Sequence, residues 1–574
     1  MHSRRRFFAI RRPFFLPSPA LGLFASIAAL VLNAHPVIAA WPHSPYIDLI
    51  VSGAVSEQAA VATVSDGAGG AIVAWRDFRS GAGYDIYAQR ILASGVPDPA
   101  WPASGLVVCD AAADQLDPVM VSDGAGGAII AWQDHRSGFG QIYAQHVFAF
   151  GVVNAMWPVN GRAVGPVMGI QQTPTIVSDG AGGVLVAWVD SRLGSNDIYA
   201  QHVLSYGALD MLWPAGGQAL CIAASSQVTP KICKDGSGGA IVAWADYRSG
   251  FGDIYAQHVQ AAGTVDPLWP VDGRALVTAA NDQLNPVLET DGSGGALVAW
   301  EDYRSGFADI YVTRLLSTGT LYWGSNGIPL CLATNHQTGL SITNDGGPGV
   351  LLAWQDERSG SFAHDIYAHH VLPSGPDASW PADGIALCTA SGAQQQPAIT
   401  TDGAGGAIVA WRDTRPAMGT YAQHVFANGT VDATWPADGR ALSTPGISPQ
   451  GVRAISDGAG GAIAVWNDYR SGASDVFAQR VARFGYLGTP EAEIVSVSDV
   501  PNDQGGKVKV SFNPSWLDTE SDPNLAFYEI WRSVPGSVVE AALRSGGTLS
   551  TFAALPSGEG RTFVESSGAA AGYW

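Results

Sequence analysis

Cysteine and basic side chains are scarce in this chain. Five cysteines in 574 residues are too few for a disulfide-stapled scaffold, and none stand at zinc-type spacing. Lysine and arginine number 30 against 50 acidic residues, a net charge of -20. A surface of that sign repels phosphate backbones and anionic lipid, which argues against nucleic-acid and membrane-surface roles. No long charged or low-complexity block suggests disorder. Past residue 40 no apolar run is long enough to span a bilayer. What the chain does have is 70 Gly, 34 Pro and 47% apolar residues, many turns around ample core. Its length points to more than one folded unit.

Residues 1–40 read as an export signal. An Arg-rich start precedes the apolar run Leu21 to Leu32, too short for a comfortable span, and Val37-Ile-Ala39-Ala40 offers a small-residue cleavage site. Ser3-Arg4-Arg5-Arg6-Phe7-Phe8 is similar to a twin-arginine signal, and a general secretory leader is the other reading. Removing these residues takes away five arginines and no acid, leaving a net charge of -25. The expectation is a monomeric exported protein, periplasmic, cell-surface or extracellular, with no membrane span in the mature chain.

Cys109, Cys221, Cys331 and Cys388 share one position of a repeat. Equivalent positions in successive repeats do not approach within the Cα separation of under about 7 Å that a disulfide needs. These cysteines are expected to be small buried residues.

The repeat is legible in Ser65-Asp-Gly-Ala-Gly-Gly-Ala-Ile-Val-Ala-Trp75-Arg-Asp77-Phe-Arg79, followed by Asp85-Ile-Tyr-Ala-Gln89. Its tryptophans, Trp75, Trp132, Trp188, Trp244, Trp300, Trp354, Trp411 and Trp466, are spaced 54 to 57 residues apart. That regularity marks a repeat architecture. Within a unit the periodicity is two: a strand, an Asp-Gly-x-Gly-Gly turn, a second strand ending in Trp-x-Asp-x-Arg, a Gly-rich loop, a third strand, then Trp-Pro and a short fourth strand. Glycine reaches positive φ freely, and the Asp side chain can bond nearby amides. Four strands in about 56 residues make one propeller blade.

The ends fix the closure. Trp-Pro elements begin at Trp41, Trp101, Trp157, Trp213, Trp269, Trp380 and Trp435, with Trp323-Gly324 degenerate. The first precedes the first Asp-Gly turn, and none follows the last. An orphan strand near Ile47 to Val51 is therefore expected to complete the last blade and close a ring of eight. The fold class is all-β: an eight-bladed β-propeller over residues 41–485. The Asp-Gly turn, apolar strand, Asp-x-Arg and Asp-Ile-Tyr order resembles TolB-type, WD40-like propeller repeats, with an added Trp-Pro segment; the resemblance implies fold far more than function. Over residues 490–574 the runs Glu493 to Ser498, Lys507 to Phe512 and Ala526 to Arg532 read as alternating strands of a small sandwich, and the last two resemble the second and third strands of a fibronectin type III domain. That domain is expected to be incomplete at Trp574.

Eight Asp-x-Arg pairs accompany the tryptophans: Asp77/Arg79, Asp134/Arg136, Asp190/Arg192, Asp246/Arg248, Asp302/Arg304, Asp356/Arg358, Asp413/Arg415 and Asp468/Arg470. Catalysis needs one acid, one base and one orienting group at one place, so eight equal copies read as structure. The in-register histidines His146, His202, His258, His370 and His424 alternate with Arg90, Arg314 and Arg480. Arginine is not a metal ligand, so no metal and no cofactor is expected. Symmetry breaks in the sixth unit, with His364, Asp365 and the doublet His369-His370, and in the seventh, with Pro416 and Met418. These are the candidate ligand loops. Glu289, Glu301 and Glu357 are isolated acids, where a glycosidase needs a carboxylate pair or a Tyr with its acid partner. The expectation is a non-catalytic binding or scaffold protein for a protein or glycan partner. The alternatives are a sialidase-like propeller glycosidase, or the accessory propeller of a larger exported enzyme.

Overall fold

The computed structural model describes residues 41–360 and 363–489, and beyond them only five strands. The chain divides into two compact units, residues 39–488 and the two terminal segments taken together. In the second of these, Glu493–Asp499 pairs antiparallel with Val508–Asn513, which pairs with Thr562–Val564. Phe527–Tyr528 pairs with Leu555–Pro556. The export signal and most of the expected fibronectin-like domain lie outside the described residues.

Residues 41–488 form an eight-bladed β-propeller. Blade one shows the rule: Gln58–Ser65 is innermost, then Ala71–Asp77, Asp85–Ile91 and the outer Leu106–Cys109, all antiparallel. The second strand is buried at every position except Arg76. It is apolar on both faces because each face packs against a neighbouring blade. The turn between the first two strands is tied by one carboxylate oxygen, Asp66 Oδ1, which accepts the Ala68 and Gly70 amides at 2.8 Å each. Gly70 is obligatory: a Cβ there would stand 2.2 Å from the Ile91 carbonyl oxygen.

The ring closes as the sequence implies. Leu49–Ser52 pairs antiparallel with Asp475–Val481, the third strand of blade eight, with Leu49 opposite Ala478. Arg470 binds the Asp48 carboxylate beside that strand, and Thr444 Oγ1 donates to it at 3.0 Å.

The Trp-Pro segments join blades. Trp101 Nε1 donates to the Ala149 carbonyl of the next blade at 2.9 Å, and the same bond recurs from Trp157 to Ser205, Trp213 to Ala261 and onward. Trp41 Nε1 donates to Ala93 O at 2.9 Å and carries the series across the closure. The degenerate Trp323 leaves its Nε1 buried without a partner.

Candidate functional site

The two ends of the ring differ in kind. At the end with the Asp-Gly turns, His202 bridges Asp179 and Asp210 at 2.9 Å each, and His258 and His424 repeat the pattern. In other blades an arginine does the same work, as Arg90 does with Asp66 at 2.8 Å. Among the described residues no three His, Cys, Asp or Glu side chains converge as metal ligands.

The Asp-x-Arg pairs form a second repeated network. Asp246 accepts Trp244 Nε1 at 2.9 Å, Arg248 Nε at 2.9 Å and Arg248 Nη2 at 2.6 Å. The Arg248 guanidinium lies 4.0 Å over the Tyr255 ring and reaches Cys221 Sγ of the preceding blade at 3.0 Å. Arg136, Arg358 and Arg415 make the same thiol contact, with Cys109, Cys331 and Cys388. These four cysteines are buried free thiols, and burial pushes each up to about 12.

Arg192 corrects the expectation that the eight copies are equal. It keeps the bond from Nε to Asp190 Oδ1 at 2.8 Å, the bond from Nη2 to Asp190 Oδ2, and the cation–π contact, 4.0 Å over the Tyr199 ring. It has no thiol to meet, because Gly165 stands where four other blades place Cys109, Cys221, Cys331 and Cys388. The Gln171 amide fills that space: a Cβ on Gly165 would lie 2.4 Å from Gln171 Nε2. The outer end of its guanidinium is also held differently from that of Arg248. Nη1 of Arg192 donates to the Gly216 carbonyl at 2.7 Å, whereas in Arg248 it is Nη2 that reaches the matching Asp272 carbonyl, also at 2.7 Å. The carboxylate bridge is thus common to the ring, and its outer contacts are local.

Variation is concentrated at the other end, where second and third strands are joined and one blade passes to the next. Each innermost strand starts with a bulge, and the bulged residue is left-handed even where it is not glycine: Ala60 (φ 53°), Asp117 (50°), Thr173 (49°), Thr229 (53°), Asn285 (51°) and Gln396 (55°). A β-branched residue in that region is strained. The bulge turns these side chains toward the mouth of the central channel. The residue between Trp and Asp on the second strand differs from blade to blade and meets the bulge of the next. Glu301 accepts Asn285 Nδ2 at 2.9 Å and the Gly339 amide at 2.8 Å, and Gln355 Oε1 accepts the Gln396 amide at 3.2 Å. Glu301 is only 3% exposed, and burial raises its pKa.

One such meeting gathers four reactive side chains. Arg76 stands 3.9 Å from the Glu57 carboxylate and 4.0 Å from that of Asp117 in blade two. Its guanidinium lies 4.8 Å over the ring of Tyr84, and the Glu57 carboxylate is close enough to act on the Tyr84 phenol. Asp114 Oδ1 accepts the Tyr84 amide at 3.0 Å. Partial burial raises the Tyr84 pKa and the Glu57 carboxylate adds to it, so the phenol keeps its proton. The Asp117 side chain is 65% exposed, so the cluster is open to solvent. Around the same end, loops present Phe139, Phe251, Phe307 and Tyr469, all about half exposed or more.

The candidate ligand loops are not one site. His364 Nε2 meets Glu357 at 3.0 Å at the variable end, and Asp365 accepts Ser359 Oγ at 2.5 Å. Pro416 is exposed on the equivalent loop of blade seven, where the Met418 carbonyl accepts the Gly446 amide at 2.7 Å. His369 and His370 lie at the opposite end of their strand, pairing Leu352 and Leu351 where Asp365 pairs Asp356. Both are buried: His369 Nδ1 donates to the His370 carbonyl at 2.8 Å, and His370 bridges Asp345 and Asp377. The sequence reading missed Glu57, Arg76, Tyr84 and Asp117, which come from two repeats. Their one signal is that they sit where the repeat does not repeat.

No protein-family model matches the chain, and no curated protein is similar to it. Solved structures are similar at the level of the propeller. A puromycin hydrolase shares 17% identity over 75% of this chain, with TM-score 0.41; the match spans 61% of the hydrolase. An ulvan lyase, a polysaccharide lyase, shares 9% over 76% of this chain and 95% of its own length, with TM-score 0.39. A putative TolB from Agrobacterium tumefaciens shares 14% over 46% of this chain and 78% of its own, with TM-score 0.26. These likenesses speak to fold alone. The expectation of a chain without enzymatic activity is withdrawn, since propellers similar to this one include a hydrolase and polysaccharide lyases. The physical reason is local: eight copies of one Asp-x-Arg bridge leave room for one unequal cluster at the variable end.

Proposed function

We propose that this chain is an exported, glycan-active propeller: it lays an extended uncharged glycan across the variable end of the ring, and the Glu57, Tyr84, Arg76 and Asp117 cluster acts on the glycosidic bond. The carrying observation is an arginine that lies over a Tyr ring and stands between two carboxylates, one of its own blade and a second, solvent-open one of the next. Hydrolysis needs a proton for the leaving oxygen and a base for water on the other side of the bond. Tyr84, held protonated, is the donor and Glu57 positions it; after the bond breaks, the phenolate regains a proton from solvent. Asp117 takes the proton of the attacking water. Exposed aromatic rings on the neighbouring loops offer flat apolar faces for sugar rings. Three carboxylates, Glu57, Asp114 and Asp117, around the Arg76 and Tyr84 pair disfavour an anionic sugar, which separates this reading from a sialidase. The Arg-rich leader supports export, and a fibronectin type III-like module over residues 490–574 serves as a spacer.

The test is reducing-end release from a panel of neutral polysaccharides by the purified chain, with Tyr84→Phe and Glu57→Gln beside it. Loss of about 10² to 10⁴ in kcat with folding intact is the expected outcome. Failure to cleave any panel member, or variants that keep the parent rate, refutes the assignment.

A further inference from the structure

The central channel holds a charge arrangement that the cluster at its mouth does not use. Lysine is rare here, four in the whole chain, yet two of the four, Lys231 and Lys234, stand on the innermost strand of blade four. Lys231 is two residues past the left-handed Thr229 and pairs with Ala243. Arg453 is two residues past Gly451 in blade eight and pairs with Val465, so the two share one level of the channel. Blades four and eight are opposite members of an eight-membered ring, and the Arg453 charge is felt at Lys231. The two cations therefore face each other across the bore.

Among the described residues nothing neutralises them. The other residues of this level are Ala62, Val119, Thr175, Val287, Ser341 and Ala398, none acidic. Glu289, two residues past this level in blade five, is drawn to Lys234 instead. No carboxylate acts on Lys231 or Arg453, and Arg453 Nη1 donates only to the Val452 carbonyl, at 3.1 Å. Both side chains are exposed to the water of the bore; the protein around them still lowers both, and for Lys231 the opposing Arg453 adds to it. Like charges held facing each other repel, and an anion between them turns that repulsion into two attractions. Ser341 Oγ, at the same level, already accepts the Ile399 amide at 3.3 Å and keeps its proton to donate.

We propose that the channel at this level is a binding site for a small oxyanion of the sulfate, phosphate or carboxylate class, clamped between the Lys231 ammonium and the Arg453 guanidinium. Arginine suits a two-oxygen contact and lysine a point contact, so the pair grips one anion from two sides. The site is independent of the glycan reading, since it shares no residue with that cluster.

Sodium sulfate, sodium phosphate and sodium acetate are titrated calorimetrically into the full chain, with ionic strength held constant by sodium chloride. The expected result is a one-site isotherm for at least one of the three, and the ranking identifies the oxyanion. Lys231→Met and Arg453→Met each weaken it at least tenfold, while Lys231→Arg retains it. In anion-free buffer the two methionine variants melt no lower than the parent, because each removes an unpaired charge. The proposal is overturned if none of the three anions gives a saturable heat, if both methionine variants bind as the parent does, or if those variants melt well below it.

Discussion

Replacing Trp41 by alanine tests whether the ring is held by its N-terminal segment. Trp41 is fully buried and packs with Val51, Ile91 and Val476, residues of blade one and of the closing sheet. An indole hides about 200 Å², and at ~25 cal/mol per Å² its removal costs about 5 kcal/mol. Loss of the hydrogen bond to Ala93 O adds about 1 kcal/mol. Trp101→Ala is the matched control: it is 3% exposed and makes the same bond one blade on, to Ala149 O. Trp41→Ala should cost at least as much as the control and do something the control does not. It frees Leu49–Ser52 and bares the outer edge of blade eight. The assay is denaturant unfolding followed by tryptophan fluorescence, with hydrogen exchange on the peptide covering Asp475–Val481. A loss under about 1 kcal/mol, with that peptide as protected as in the parent, would show that closure does not depend on this segment.

Two further outcomes follow from the repeated networks. His202, His258 and His424 are pulled down by burial, but their paired carboxylates outweigh it and leave each above its ordinary value. A raised folded-state value means their contribution is complete below about pH 6.5 and is lost as pH rises through that folded value. Melting temperature should therefore fall from pH 6.5 toward pH 9, less steeply in His258→Gln, and an unchanged slope in that variant contradicts the assignment. Asp246→Asn leaves Arg248 facing an amide in a buried site, with an expected cost of about 3 to 5 kcal/mol; measuring Asp190→Asn beside it checks that the carboxylate bridge counts for as much where Arg192 has no thiol to meet.

The architecture could be read from sequence because each blade repeats the same physical solution. Trp75, Asp77 and Arg79 recur in every unit, and a strand ahead of the first turn has one vacancy to fill, which Leu49–Ser52 fills. Observed bounds differ from the expected Ile47 to Val51 by one or two residues, since strand ends depend on pairing rather than composition. The different setting of Arg192 was hidden because it lies in what surrounds the pair, at Gly165 in the preceding blade, and not in the pair itself. The candidate site was illegible for a related reason. Arg76 and Asp117 are 41 positions apart and meet only because a bulge at Asp117 carries its side chain to the neighbouring blade. Nothing in the local sequence around Asp117 announces a left-handed residue. The loops of blades six and seven drew the eye as departures from the consensus. Yet His370 makes the same two-carboxylate bridge as His258, so a doublet in sequence became one ordinary member of a network and a buried neighbour stacked on Trp380.

The closing strand has a kinetic consequence. Leu49 pairs with Ala478, more than four hundred residues later, so the first strand of the propeller to be synthesised is the last to find its partner. Every other blade can assemble from a contiguous stretch, while blade eight must wait with one edge open. Folding of this ring should thus divide into fast local blade formation and one slow, long-range event. Until that event is over, the unpaired edge of Asp475–Val481 is open to the leading strand of another copy, which makes exchange between chains a hazard set by concentration during folding rather than by the finished structure.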